Sequence, residues 1–111
     1  MPRLNNLGEF ELMVLLSVIK LGDNAYGVPI SRELEKSRAR DVSVGSVYAV
    51  LDRLEAKGLV VSSLGDPTPE RGGKAKRYFR VTNHGLRQAH EMRQIFTRLW
   101  RGLPELKGER A

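Results

Sequence analysis

The spacing of apolar residues along this chain predicts four helices and one β-hairpin. The clearest helical period lies in residues 44–56, where apolar positions recur every three or four residues and share one face. These positions are Val44, Val47, Val50, Leu51 and Leu54. Ser43 is placed to accept hydrogen bonds from the first free amides, and Gly58 is placed to end the helix in a left-handed conformation. The pattern predicts an amphipathic helix with a defined beginning and end.

The outer face of this helix lacks the long charged side chains that normally cover a solvated helix. Its first two turns carry Gly45, Ser46 and Ala49 there. A face this bare lets a large partner come close, and the major groove of DNA is wide enough to admit a helix. The alternative is that these small residues pack against another part of the same chain.

The same period predicts three further helices. They span residues 8–21, 28–37 and 83–103, and Thr82 is placed to cap the last of them. The apolar residues of the first helix cover more than one of its faces, so burial of a single face would leave some of them exposed. We therefore expect it in the middle of the core or partly in a subunit interface.

After Gly58 the apolar period changes to two, which predicts β-strands over residues 59–64 and 76–81. The Gly and Pro residues between them predict a loop without regular structure over residues 65–74. A helix, a turn, a second helix and a hairpin in this order form a winged helix-turn-helix, with the hairpin loop as the wing. The predicted fold class is mainly α with a small β-hairpin.

The positive charge of the chain is concentrated in its middle and end. The 111 residues carry a net charge of +6. Residues 1–37 hold four basic and five acidic side chains, residues 38–80 hold nine and five, and residues 81–111 hold six and three. The three net charges are therefore −1, +4 and +3. A basic excess localised in this way indicates a polyanionic partner.

The sequence lacks the motifs of common catalytic and metal sites. Without cysteine, the chain has no disulfide, no thiol nucleophile and no thiolate metal ligand. His84 and His90 are six positions apart and fall on different helix faces, so they do not form a metal-binding pair. We expect no catalytic residue, no cofactor and no bound metal.

No segment of the sequence suggests a membrane partner. The longest apolar run, Leu12–Ile19, is interrupted by Ser17 and is too short to span a bilayer. The chain does not open with a secretory signal. We therefore expect a cytoplasmic protein.

Basic residues cluster around the predicted hairpin loop. Residues 71–80 contain no acid and five cations, which are Arg71, Lys74, Lys76, Arg77 and Arg80. Lys and Arg near phosphates release condensed counterions, which supplies most of the sequence-independent affinity for DNA. Alternation along the second strand separates Lys76, Tyr78 and Arg80 from Arg77 and Phe79. A solvated hairpin is the alternative, but the nearby bare helix favours DNA binding.

The helix that begins after Ser43 supplies candidate contacts of a different kind. Ser43 and Ser46 can offer hydroxyls and amides to phosphates at a helix N-terminus, while Gly45 and Ala49 permit close approach. Tyr48 either places its hydroxyl on a phosphate or packs against the preceding helix.

Three arginines near this helix are further candidates. Arg53 is the best-placed long donor on the outer face, although a nearby carboxylate is nearly as good a partner for it. Arg38 and Arg40, in the connector before the helix, are expected to contact the DNA backbone. The candidate DNA-binding residues are Arg38, Arg40, Ser43, Gly45, Ser46, Tyr48, Ala49, Arg53, Arg71, Lys74, Lys76 and Arg77.

The last predicted helix carries an apolar stripe that its own domain cannot bury. The stripe consists of Met92, Ile95, Phe96, Leu99 and Leu103. Pairing of two such helices across a twofold axis would bury it. We therefore expect a winged-helix DNA-binding domain over residues 1–82 and a C-terminal dimerisation helix and tail over residues 83–111.

From Gly8 to Gly85 the chain resembles the PadR-type transcriptional regulators. The matching motifs are Gly8-Glu9-Phe10-Glu11, Leu15-Leu16, Tyr26-Gly27, Ser43-Val44-Gly45-Ser46-Val47-Tyr48, Leu51, Arg53-Leu54-Glu55, Lys57-Gly58-Leu59-Val60, Arg71-Gly72-Gly73-Lys74, Lys76-Arg77-Tyr78-Phe79, Val81-Thr82 and Gly85. Each motif is weak alone, but their joint occurrence is specific. The chain departs from the family at Val28, where an aromatic residue is usual, and at Ala49, where a proline is usual. Both departures affect fine contacts rather than the fold.

The resemblance implies a dimeric repressor whose C-terminal helix serves dimerisation. Some members of the family respond to small, often aromatic, molecules. Trp100 is therefore either an anchor of the subunit interface or, together with Phe96, an aromatic wall of an effector pocket between subunits.

These patterns together predict a sequence-specific, double-stranded DNA-binding transcriptional regulator associated with the nucleoid. The resemblance implies a repressor that binds a pseudo-palindromic operator as a homodimer, with release by a small aromatic effector as a further implication. The alternative is a winged-helix protein used for protein–protein or RNA binding without sequence-specific DNA recognition.

Overall fold

The computed structural model describes residues 7–38, 41–67 and 75–104 of the chain. Its elements are α1 (Glu9–Leu21), a short 3₁₀ turn (Gly22–Asn24), α2 (Gly27–Arg38), α3 (Val44–Ala56), β1 (Val60–Pro67), β2 (Ala75–Val81) and α4 (Asn83–Arg101). The fold is mainly α with an antiparallel β-hairpin, which confirms the predicted fold class. The helices begin and end close to the predicted positions.

The core lies between α1, α2 and α3. Its largest fully buried side chains come from all three helices and from the chain that enters the hairpin, and they include Leu15, Ile30, Leu34, Leu51, Leu54 and Leu59. Burying one such side chain stabilises the fold by roughly 1.5–3 kcal/mol. On α3 the buried residues are Val47, Val50, Leu51 and Leu54, which belong to the face predicted from the sequence. Because this face packs in the core, the opposite face of α3 points outward.

The two ends of α3 are set by features that were visible in the sequence. The Ser43 hydroxyl oxygen accepts a hydrogen bond from the Ser46 amide at 3.0 Å, which confirms the predicted N-cap. Gly58 has φ 77°, a left-handed conformation that glycine adopts without a steric penalty. The amide of Leu59 then donates to the Leu54 carbonyl oxygen at 2.9 Å, so the chain passes directly from α3 towards β1.

The connection between α2 and α3 is held through both peptide groups of Val42. The Ser31 hydroxyl donates to the Val42 carbonyl oxygen at 2.6 Å, and the Val42 amide donates to the Glu35 carboxylate at 3.3 Å. Ser31 and Val42 are buried, so water competes weakly for the first bond. These bonds fix the direction in which α3 leaves the turn.

The hairpin is longer than the sequence predicted. Its antiparallel pairing begins with Val60 opposite Val81 and, after an irregularity past Leu64, resumes with Pro67 opposite Ala75. The expectation that the predicted loop contains no regular structure is therefore wrong for its first three residues. The pairing of two backbones outweighed the turn preferences of single residues there.

The position of β2 explains why a proline is accepted at the end of β1. The Phe79 amide donates to the Ala25 carbonyl oxygen at 2.8 Å, so β2 lies between β1 and the segment before α2. Within the described part of the chain β1 is thus an edge strand, where proline is tolerated because its missing amide leaves no ladder partner unsatisfied.

The attachment of α4 to the rest of the fold is concentrated in its first two turns. The Thr82 hydroxyl accepts a hydrogen bond from the Gly85 amide at 2.9 Å and donates to the Gly58 carbonyl oxygen at 2.7 Å, which confirms the predicted cap. Gly85 and Gln88 are the buried residues of α4, and the side chains beyond them are half-buried or exposed. Among the described helices, none combines the length and apolar character that crossing a bilayer requires.

Candidate nucleic-acid interface

The outer face of α3 is open to solvent. Gly45, Ser46 and Ala49 are all exposed. A methyl group built on Gly45 would have open space around it, with no heavy atom of the described residues within 4 Å. The alternative that these small residues pack against the same chain is therefore wrong for the part of the chain that the structure describes. What remains is a helix face on which a large, flat or grooved partner can approach the backbone.

The beginning of α3 presents polar groups beside this bare face. The Ser43 hydroxyl donates to the Ser46 hydroxyl oxygen at 2.8 Å, and both side chains lie at the surface. A helix N-terminus carries a partial positive charge and unpaired amides, so anions such as phosphates are favoured there. The two serines and the helix end together form a compact set of hydrogen-bonding groups.

Tyr48 packs against the beginning of α2, which is one of the two roles that the sequence left open. Its ring lies 6.2 Å from that of Phe79, measured between centroids. A Cβ atom at Gly27 would lie only 2.6 Å from Cε2 of Tyr48, so the glycine makes room for the ring. This contact explains the glycine of the Tyr26-Gly27 pair. The half-buried Tyr48 remains a predicted phosphate contact as well.

Arg53 is paired with a carboxylate, the other role considered for it. Its Nε donates to Glu11 at 3.1 Å, and Lys57 donates to the second oxygen of the same carboxylate at 3.0 Å. The Gly8 amide also donates to Glu11 at 3.0 Å. The Arg53 side chain remains 56% exposed, whereas that of Glu11 is 11% exposed. Sequence reasoning missed this cluster, because partners 42 and 46 positions apart share no local pattern.

The cations of the wing lie on two faces, as the alternation predicted. Lys76 donates to the Tyr26 hydroxyl at 3.4 Å and lies 4.6 Å from the centroid of that ring. Arg77 lies on the other face and forms ion pairs with Asp52 at 3.1 Å and with Glu55 at 2.9 Å. Arg40, Arg71 and Lys74 lie outside the described residues, as does the side chain of Arg38.

An apolar groove of about 440 Å³ separates α1 from α4. Leu12, Leu16 and Ile19 line it from α1, and Phe96 and Trp100 are among the residues that line it from α4. Of the predicted dimerisation stripe, Phe96, Leu99 and Leu103 are exposed, while Met92 and Ile95 are half-buried. Trp100 is 61% exposed, which is unusual for so large an apolar side chain.

Comparison with known protein families agrees with the fold. Residues 15–91 match the transcriptional regulator PadR-like family. The chain belongs to this family. It is therefore a transcriptional regulator, a function that implies binding to DNA. The family predicted from the sequence motifs is confirmed.

Solved structures of PadR-type regulators share this fold. A PadR family regulator from Clostridium difficile matches with a TM-score of 0.71 and 22% identity, covering 91% of this chain and 100% of its own. A PadR-like regulator from Bacillus cereus matches with a TM-score of 0.70 and 26% identity, covering 91% and 93%. One from Eggerthella lenta has a TM-score of 0.68 and 26% identity, covering 92% and 88%. A comparison with curated proteins finds no match.

In this PadR-like chain, Glu11 joins α1 to α3 through a titratable contact. Burial raises the pKa of Glu11, but hydrogen bonds from Gly8, Lys57 and Arg53 outweigh this effect, so the pKa lies below its ordinary value of 4.5. A carboxyl group whose pKa is lower in the folded state than in the unfolded state stabilises the fold at every pH above its ordinary pKa. That stabilisation is lost as the pH falls through the pKa of the folded state.

We predict that Glu11→Gln lowers the free energy of unfolding by about 1 kcal/mol at pH 7, a value reduced for solvent screening of the exposed partner Arg53. The deficit should shrink as the pH falls below 4.5, because the wild-type carboxyl then becomes protonated too. Urea unfolding of both proteins between pH 7 and pH 3 measures this. Glu9→Gln, a change of an exposed acid in the same turn, is the control, and a deficit that is constant across this range would contradict the prediction.

Proposed function

We propose that this PadR-like regulator binds a pseudo-palindromic operator in double-stranded DNA as a homodimer and represses transcription in the cytoplasm. The observation that carries the proposal is the uncovered face of α3, formed by Gly45, Ser46 and Ala49. Solvated helix faces normally carry long charged side chains, which would keep the backbone away from a groove. Here the backbone of α3 can enter the major groove, which has the width of a helix.

In this arrangement the beginning of α3 and the wing hold the DNA backbone. Ser43, Ser46 and Tyr48 supply hydroxyl groups to phosphates, while Gly45 and Ala49 permit the close approach. The wing adds long cations, which are Arg71, Lys74 and Lys76, and the connector before α3 adds Arg38 and Arg40. Arg53 retains enough exposure to reach a phosphate while its Nε stays on Glu11. Small side chains read few base edges, so the shape of the duplex supplies part of the selectivity.

The homodimer forms through the exposed apolar stripe of α4, with residues 1–82 forming the DNA-binding unit. Leu99 is 61% exposed and lies near the end of α4 with Phe96 and Trp100, and the exposed Leu103 follows just after the helix. A cluster of large exposed apolar side chains favours burial against another surface. A second copy offers the same stripe, and a twofold axis brings two α3 helices onto successive half-sites about one helical turn of DNA apart.

We predict that Ala49→Leu weakens operator binding about 10–100-fold, because the added side chain blocks the approach of α3 to the groove. Leucine is a good helix former and the site is exposed, so the melting temperature should change little. Mobility-shift titration against a duplex selected from a random pool measures the affinity.

The matched control is Ala56→Leu, the same change at an exposed position at the last turn of α3. It should bind like the wild type. If Ala49→Leu also binds like the wild type, α3 does not enter a groove. If the wild type enriches no duplex at all, the alternative of protein–protein or RNA binding is favoured instead.

We predict that Leu99→Lys raises the dimer dissociation constant about tenfold or more, because a buried ammonium has no partner in an apolar interface. Sedimentation velocity at a series of concentrations measures the constant. Leu64→Lys is the control, since Leu64 is a leucine of the wing with 73% exposure and lies away from the stripe. A wild-type protein that stays monomeric at micromolar concentration would contradict the proposal.

Release by a small aromatic effector is the last part of the proposal. The groove of about 440 Å³ between α1 and α4 has the size of small-molecule sites, and Phe96 and Trp100 supply aromatic walls. Trp100 is the only tryptophan of the chain, so its fluorescence reports on the groove directly.

We predict a saturable change of Trp100 fluorescence when a panel of one- and two-ring aromatic molecules is titrated into the protein. Leu16→Arg should abolish the response because it fills the groove, whereas Leu64→Arg on the wing should not. A flat signal across the whole panel would leave Trp100 with the role of interface anchor alone.

A further inference from the structure

Two carboxylates of α3 face the wing and hold one cation between them. Asp52 and Glu55 are three positions apart, which places them on the same side of a helix. Arg77 of β2 donates through one terminal nitrogen to Asp52 at 3.1 Å and through the other to Glu55 at 2.9 Å. Both ends of the guanidinium group are therefore engaged by α3.

The contacts of this cluster reach both strands of the wing. The guanidinium carbon of Arg77 lies 4.9 Å from the ring centroid of Phe79, a residue buried in the core. The second oxygen of Glu55 accepts hydrogen bonds from the Ser62 amide at 3.2 Å and from its hydroxyl at 2.9 Å. Because Ser62 belongs to β1 and Arg77 to β2, the carboxylate of Glu55 joins α3 to the whole hairpin.

The local charge of the cluster does not suit phosphate binding. One guanidinium and two carboxylates leave a net charge of −1, and the Asp52 side chain is 62% exposed. A phosphate approaching Arg77 would have to displace a carboxylate from an arginine fork and would be repelled by both acids. This differs from the wing segment over residues 71–76, which contains three cations and no acid.

We propose that Arg77 is a positioning residue that sets the angle of the wing relative to α3 and thereby supports operator selectivity, without itself binding phosphate. The inference rests on the proposed function, in which α3 and the wing contact the same duplex. Two elements held at a fixed separation fit only duplexes with a matching groove geometry, so their spacing reads DNA shape. Non-specific binding depends mainly on the number of phosphate contacts and is insensitive to this angle.

The first test compares Arg77→Met with Lys74→Met, two changes of a long cation to a neutral side chain in the wing. A duplex selected by the wild type from a random pool serves as the operator, and a scrambled duplex of equal length measures non-specific binding. For Arg77→Met we expect operator affinity to fall about tenfold while non-specific affinity and the slope of log K against log salt stay unchanged. For Lys74→Met we expect both affinities to fall and the slope to become less steep by about 0.9.

The second test uses the acids to ask whether Arg77 acts through them. Asp52→Asn with Glu55→Gln leaves Arg77 without charged partners, and the triple variant adds Arg77→Met. A positioning role predicts that the ratio of operator to non-specific affinity falls in the double variant and falls no further in the triple variant. If Arg77 is instead a phosphate donor that the acids mask, the double variant unmasks it, and the slope of log K against log salt becomes steeper by about 0.9.

The conservative change Arg77→Lys provides a variant that keeps the charge. A lysine is a single point charge and does not hold two carboxylates in a fork, so we expect selectivity to remain reduced at an unchanged salt slope. Full recovery of operator affinity in this variant would overturn the proposal. So would a decrease of the slope by about 0.9 in Arg77→Met, or equal losses for operator and scrambled DNA.

Failure of the proposed function has a different signature. In that case the wild type itself enriches no duplex and shows no preference for any sequence before a variant is made. Thermal melting of each variant distinguishes unfolding of the protein from a change in the angle between the wing and α3. If Arg77→Met unfolds, the same comparison is made with Arg77→Lys.

Discussion

Packing of α3 against the core is the constraint on which the remaining architecture depends. Val47, Leu51 and Leu54 are fully buried, and the helical period then determines which residues face away from the core. Gly45 and Ala49 lie there, and both residues are too small to cover the backbone of the helix. The same helix therefore organises the interior with one face and leaves its backbone accessible on the other. The cap at Ser43 and the bonds to Val42 define where this accessible face begins.

Electrostatics in this protein divide the cations into two groups. Arg53, Lys57 and Arg77 are paired with acids of α1 or α3, so part of the positive charge of the middle segment serves internal contacts. The cations that precede β2 in the wing, Arg71 and Lys74, are followed by no acidic residue up to the end of β2. The number of basic residues in a segment therefore overstates the number of cations that are available to meet phosphates. In the proposed function, this division separates residues that shape the binding surface from residues that attract DNA.

The first turn of α4 is bonded to the rest of the fold, whereas its last turns expose apolar side chains. Its first turn is tied to the α3–β1 connection through Thr82, while its far end carries exposed leucine and tryptophan side chains. Between it and α1 lies the apolar groove. Because α1 also carries Glu11, which contacts Arg53 and Lys57 of α3, a single helix separates this groove from the proposed DNA-binding surface. Helix α1 therefore contacts both the apolar groove and the helix that carries the proposed DNA-binding surface.

Sequence alone determined the features that depend on neighbours along the chain. The helical periods, the caps at Ser43 and Thr82, the glycine end of α3 and the alternation of Lys76 with Arg77 are properties of short segments, so pattern and local chemistry were sufficient to predict them. The motifs were also sufficient for the PadR family, because several short segments had to match together.

Tertiary structure alone decided which distant side chains meet. Glu11 binds Arg53 and Lys57, Tyr48 occupies the space left by Gly27, and Arg77 lies between the acids of α3. The extension of β1 to Pro67 was likewise decided by pairing across the hairpin. Each of these contacts joins segments separated by many residues, and no periodicity within either segment carries information about the other. Whether a cation is paired with an acid inside the fold or remains available to a partner follows from that packing.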